Sequence, residues 1–159
     1  MVAALKTKFS EAITEAKALL GQTFLYCKPS AITAIGRYLK ETPELGYNYL
    51  VDVTAIDYPK KPERFELIYI FYSHTRGDRL ILKAVLPKDQ AIHTVSHLWP
   101  TANWLEREVY DMFGIPFEGH PDLKRILLPD GWHGFPLRKD YPIALQDEEW
   151  IKANMEILQ

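Results

Sequence analysis

Between Trp104 and Phe113 the sequence reads WLEREVYDMF, which brings Glu106, Glu108 and Asp111 within about one and a half turns of a helix. Carboxylates held close together push their pKa values apart, and that separation is what a general acid and a general base need. Helical geometry works against such a pair here, because residues two apart point about 200° apart on a 3.6-residue wheel. Glu106 and Glu108 therefore do not converge on one substrate atom. The spacing instead predicts structural roles: Asn103 capping the helix with Glu106 reaching back to it, and Arg107 pairing with Asp111 one turn further on.

Other residues with chemical capacity are less complete. His93 and His97 stand four apart and would share a face if helical, but Thr94 occupies the place of the zincin glutamate and no third ligand is in sight, whereas zinc takes at least three. Gly131-Trp132-His133-Gly134 lacks the Lys-Ser/Thr of a phosphate loop, and no GxGxxG follows any strand candidate. His120-Pro121-Asp122 spells the J-domain tripeptide outside the pair of antiparallel helices that motif requires. Cys27 is the single cysteine, which excludes an internal disulfide and an iron–sulfur cluster held by this chain alone.

Composition narrows the classes further. Nineteen Lys and Arg against 21 Asp and Glu give a net charge of −2, without the basic excess of a nucleic-acid binder. Apolar runs such as LIYIFY fall far short of the ~18 residues of a spanning helix, and Lys6, Lys8 and Glu11 interrupt any signal-like stretch. A cytosolic or peripherally bound chain is expected.

The elements that must position these residues form one sequence of patterns. Leu5, Phe9, Ala12, Ile13, Ala16 and Leu20 recur at helical spacing and predict one amphipathic helix from Val2 to Leu20, stopped by Gly21. TFLYC is a strand, and Pro29-Ser30 opens a second helix with Ile32, Ile35 and Leu39 on one side. YNYLVDVTAI, RFELIYIFYS and DRLILKAVL predict an antiparallel meander with Arg76-Gly77-Asp78 as a turn. The unbroken apolar run in the second of these predicts a strand covered on both faces. In the last helix Leu105, Val109, Met112 and Phe113 share the apolar face, with Arg107 and Asp111 opposite, and Gly114 ends it. The fold class expected is α+β: a two-layer sandwich of a four-stranded, largely antiparallel sheet and helices, in a core of residues 1–114.

Residues 115–159 are expected to be an extended C-terminal interaction arm. The stretch is rich in glycine, proline and aromatics and lacks periodicity, and long segments of this kind in compact domains are functional or disordered. Its apolar content opposes disorder. Trp132, Phe135 and Tyr141 are the natural anchors, with Arg138, Lys139 and Asp140 fixing register against a partner surface.

EREVYDMFGIPFEGHPDLKRIL resembles the signature of the 30-kilodalton subunit of respiratory complex I, the C subunit of bacterial NADH:quinone oxidoreductase, and GFPLRKDYP resembles that family's downstream block. The match runs through Glu106, Arg107, Glu108, Asp111, Met112, Phe113, His120, Lys124, Arg125, Ile126 and Leu127. The resemblance implies a scaffold subunit of the peripheral arm, in its free-standing form, on the cytoplasmic side of the bacterial plasma membrane. It implies no cofactor of its own within a complex that uses FMN, iron–sulfur clusters, NADH and quinone. The implied neighbours are a hydrogenase-like large subunit, the subunit with the terminal iron–sulfur cluster, and a ferredoxin-like subunit. Equivalent subunits of ferredoxin-dependent photosynthetic complexes or membrane-bound hydrogenases fit the same residues. A small acid/base enzyme using Glu106, Glu108 or His120 is the alternative of another class.

Overall fold

The computed structural model describes residues 2–142, 150, 152 and 153. Among these, helix α1 (Val2–Lys8) leads into strands β1 (Ile13–Leu19) and β2 (Gln22–Cys27), then a 3₁₀ turn at Pro29–Ala31 and helix α2 (Ile32–Glu41). The meander follows as β3 (Tyr49–Asp57), β4 (Phe65–Ser73) and β5 (Asp78–Leu86). Short β6 (Ile92–His93), helix α3 (Ala102–Phe113) and short β7 (Phe117–Glu118) complete the regular elements.

The main sheet has five strands in the order β1-β2-β5-β4-β3, with β2 and β5 parallel and every other pair antiparallel. The fifth strand corrects the single helix expected over Val2–Leu20. Only its first part is helical, because Leu20 and Gly21 both take left-handed backbone (φ 50° and 76°) and form the two-residue turn that folds β1 back on β2. Gly21 thus serves a hairpin and not a helix end, and Leu20, required on the buried side by the helical reading, is 94% exposed.

The register places Leu67, Tyr69 and Phe71 of β4 beside Ala84, Leu82 and Leu80 of β5, with Leu25 of β2 next in line, all buried. Ile32, Ile35 and Leu39 of α2 and Val109 and Met112 of α3 belong to the same core cluster, so the helices cover this face. On the opposite face Ile68, Ile70 and Tyr72 are only half-buried, and Lys83 reaches Glu66 at 2.8 Å beside the rings of Phe24 and Tyr26. The run in β4 is therefore not covered by helices on both sides, as its apolarity predicted. Cross-strand aromatic, aliphatic and ion-pair neighbours shelter its second face.

Candidate functional site

Helix α3 carries Glu106, Arg107, Glu108, Asp111 and Phe113, and both its faces are occupied. Its apolar face packs on the sheet through Val109, Met112 and Phe113. Its polar face, where a capping box and an i,i+4 ion pair were expected, lies under the chain that returns after β7: Glu106, Arg107 and Asp111 are all buried. Only Glu108 and Trp104 of this helix point fully outward.

Asp111 is the centre of the returning segment. Its Oδ2 accepts the backbone amides of Ile126, Leu127 and Leu128 at 3.0, 2.8 and 2.9 Å, and its Oδ1 accepts Arg125 Nη1 at 2.6 Å. Burial alone would raise the pKa of this carboxyl, but the amides and the guanidinium outweigh it and hold the pKa below the ordinary carboxylate value. Arg107 does not pair with Asp111. Its guanidinium lies over the Trp104 ring and donates to the carbonyls of Lys124 and Arg125, both at 3.1 Å. The i,i+4 spacing was correct for a bare helix, whereas the downstream chain offers both residues closer partners.

The capping box is also absent. Thr101 occupies the position before α3 without a side-chain cap bond, and Glu106 turns inward. Its Oε1 accepts the Val95 amide at 2.8 Å and its Oε2 contacts the Thr94 hydroxyl. Burial pushes its pKa up to about 7, against the smaller opposing effects of the Thr94 and Val95 hydrogen bonds. His120, whose side chain is fully buried, bonds the Asn103 carbonyl through Nε2 and accepts the Asp122 amide at Nδ1, each at 3.1 Å. His93 and His97 do not share a helix: His93 lies in β6 facing Glu118 at 3.4 Å, and His97 lies in the turn before α3.

A second clamp fastens residues 135–141. Arg138 donates to the carbonyls of Phe113 and Gly114 at 2.5 and 3.3 Å, closing the C-terminal end of α3, and its guanidinium lies over Phe135. Buried Arg64 bridges Asp57 and Asp140, with Nε to Asp57 Oδ1 at 2.7 Å and Nη2 to Asp140 Oδ1 at 2.6 Å, and Asp57 also accepts the Lys139 amide at 2.7 Å. The Arg64 hydrogen bonds hold the Asp57 carboxyl below its usual pKa. Asp57 and Arg64 were not singled out from the sequence, where a strand-ending Asp and an Arg seven residues later signal only a turn.

Lys124 is exposed and pairs with Asp122 at 2.9 Å, Phe135 lies between Tyr110 and the guanidiniums of Arg125 and Arg138, and the Tyr141 ring packs against Gly134. Trp132 packs against Trp150 with ring centres 5.7 Å apart. The arm through residue 142 is thus tied to its own domain; residues 143–149, 151 and 154–159 lie outside the described residues.

Gly114 tests this packing. It ends α3 at φ 68°, and a Cβ there would stand 2.5 Å from the Phe135 ring and 2.6 Å from Arg138 Nη2. Gly114→Ala is expected to cost about 2 kcal/mol from left-handed backbone and overpacking together, read as a lowered urea midpoint. An unchanged midpoint would remove the close approach as a source of stability.

Residues 25–147 match the family described as "Respiratory-chain NADH dehydrogenase, 30 Kd subunit". The C subunit of the NADH-quinone oxidoreductase of Geobacter sulfurreducens is 47% identical over 153 residues, covering 95% of this chain and 93% of that protein. Its counterpart in Geotalea uraniireducens is 46% identical over 152 residues, covering 95% and 92%. Among solved structures, the trypsin-resistant fragment (1-134) of Nqo5 is 32% identical with a TM-score of 0.66, covering 77% of this chain and 98% of the fragment. A chain of the membrane-bound sulfane sulfur reductase, an archaeal respiratory membrane complex, reaches a TM-score of 0.77 at 26% identity, covering 99% and 91%. With the family match spanning most of the chain and relatives aligned over nearly their full length, the chain belongs to the 30 Kd subunit family of the respiratory-chain NADH dehydrogenase, an enzyme complex of which these proteins are subunits.

Proposed function

We propose that this chain is a non-catalytic scaffold subunit of the peripheral arm of a proton-translocating NADH:quinone oxidoreductase. In this reading it docks the hydrogenase-like large subunit and the iron–sulfur subunits that carry electrons toward quinone. Support comes from family membership and from what the signature residues do here. Glu106, Arg107, Asp111, Arg125 and Arg138 are used to fasten one segment of the chain onto another, which leaves Glu108 as the outward-facing carboxylate of the cluster. Residues 1–114 supply the folding core in this proposal, and the segment from 115 onward supplies docking groups beside Trp104 of α3.

The observation that carries the reading is the surface this fastening creates. With the polar face of α3 covered, the exposed large apolar side chains include Trp104 at its start, 59% exposed, and Leu127 and Leu137 of the overlying segment, 60% and 49% exposed. Large aromatic and apolar groups held on a rigid base are suited to interface hot spots. No helix among the described residues is long and apolar enough to cross a membrane, and in this proposal the neighbouring subunits hold the chain on the cytoplasmic side of the bacterial plasma membrane. FMN, the clusters, NADH and quinone would then belong to those neighbours.

The similarity to the sulfane sulfur reductase chain favours one second reading, in which the same scaffold serves a complex with another electron donor or acceptor, as in ferredoxin-dependent or hydrogenase assemblies. Trp104→Glu combined with Leu127→Glu separates docking from folding. The variant is expected to keep the stability of the parent chain and to lose co-purification with the iron–sulfur subunits; full assembly of the variant would overturn the docking reading. Oxidation of NADH against ferredoxin by the assembled parent complex distinguishes the two complexes.

A further inference from the structure

Glu106 is unlike the other buried carboxylates among the described residues, of which Glu66 pairs with the Lys83 ammonium. Asp57 and Asp111 each meet a guanidinium and at least one backbone amide, but Glu106 meets one amide and one hydroxyl, with no Lys or Arg partner among the described residues. The groups facing it from neighbouring elements are uncharged in this geometry. From the sheet comes the Tyr69 hydroxyl, buried without a hydrogen-bond partner. From the turn after β7 comes His120, with Nε2 4.0 Å from Glu106 Oε2. Its Nδ1 accepts the Asp122 amide, so the ring proton sits on Nε2 and is directed to the Asn103 carbonyl.

Beyond Glu106 the polar chain continues outward. The Thr94 hydroxyl touches both Glu106 Oε2 and, at 2.8 Å, Ser96 Oγ, and it also accepts the Ser96 amide at 3.0 Å. A hydroxyl has one proton to give, so Thr94 donates to Ser96 or to Glu106 but not to both. When Glu106 carries a proton it donates to Thr94, Thr94 donates to Ser96, and the Ser96 proton is left to point away. When Glu106 is ionised, Thr94 donates to it and Ser96 turns its proton inward to Thr94. Ser96 lines an open surface groove of about 380 Å³ with His97, Pro100, Asn103, Gly119 and Pro121.

We propose that Glu106, Thr94 and Ser96 form a proton-sensing relay in which the charge state of the buried carboxyl sets the hydrogen-bonding character of the groove. With Glu106 protonated the groove presents a hydroxyl donor at Ser96. With Glu106 ionised it presents an acceptor, and the new charge attracts the Nε2 proton of His120 away from Asn103, shifting the turn that forms the groove's other wall. The raised pKa of Glu106, about 7 against an ordinary 4.5, places the change near neutral pH. Because the folded chain binds this proton more tightly than the unfolded chain, the contribution of Glu106 to stability is greatest below about 4.5. It falls as pH rises from there to about 7 and is level above.

The test is a carbon-13 and nitrogen-15 NMR titration of the full chain. The Glu106 carboxyl carbon is expected to titrate with a midpoint near 7, and the Ser96 amide and His120 Nε2 resonances to move with the same midpoint. In Thr94→Val the Ser96 response should disappear, and in Glu106→Gln the decline of stability between pH 4.5 and 7 should flatten. A Glu106 midpoint at the ordinary value of about 4.5 would overturn the proposal. So would a Ser96 response that is missing in the parent chain or unchanged in Thr94→Val. The titration of the parent chain decides the matter even where a variant does not fold.

Discussion

Asp111→Ala is expected to be among the most damaging single substitutions in this chain, lowering stability by about 3–5 kcal/mol, the usual cost of removing one partner from a buried ion pair. The substitution leaves the Arg125 guanidinium without its carboxylate and strands the amides of Ile126, Leu127 and Leu128 beneath the surface they cover. Asp111→Asn keeps the shape and one acceptor oxygen but turns an amide N–H toward these donors, so an intermediate loss is expected. The urea midpoint measures both, and early proteolysis within residues 124–137 should accompany them. The pH dependence has a definite sign. The folded pKa of Asp111 is depressed, so its contribution is fully present above the unfolded value of about 3.9 and is lost as pH falls below it. In Asp111→Ala that acid-limb loss should be smaller than in the parent. A variant of parental stability would show that the segment is held by something other than this carboxylate.

Asp111 also shows where the sequence stops being legible. Strands β2 to β5 and helix α2 follow from periodicity and β-branched or aromatic content, because each buries a face whose pattern repeats within a few residues. The stretch from Leu5 to Leu20 fits a helical wheel equally well as helix or as helix plus hairpin, since Ile13 is buried in either case and only the backbone at Leu20 and Gly21 decides. The candidate residues on α3 were visible as residue types. Their partners were not: the amides that Asp111 accepts lie 15 to 17 residues downstream, and a wheel drawn for an isolated helix assigns its polar face to water. The chain that covers this face has no period of its own, so its burial is a tertiary fact that no local pattern encodes. Among the signature residues, Arg107 and Asp111 both meet Arg125 of the returning chain, a relation that the wheel could not supply.

The second large effect is expected at Arg64, whose guanidinium joins the loop end of the β3–β4 hairpin to the end of the returning segment. Arg64→Met leaves the Asp57 carboxylate, with 0% of its side chain exposed, buried without a counter-ion, and a loss of about 3–5 kcal/mol is expected. Asp140 is the outer partner, 57% exposed, so Asp140→Ala removes a half-solvated carboxylate while Arg64 keeps its pair with Asp57, and it should cost no more than about 1 kcal/mol. The inner and outer halves of the clamp are thereby distinguishable. Pairing Arg64→Met with Asp57→Leu removes both buried charges together, and replacement of a buried pair by apolar side chains is often close to neutral. The double variant should therefore recover most of the stability lost by the single one, a coupling that a double-mutant cycle in urea measures directly. What it cannot recover is the bond from Asp57 to the Lys139 amide or the bonds from Arg64 to Asp140, so residues 138–141 should remain more open to protease than in the parent chain. Stability restored together with a protected segment would mean that the clamp serves the core alone. A double variant no more stable than Arg64→Met would mean that the cost lies elsewhere than in the stranded carboxylate.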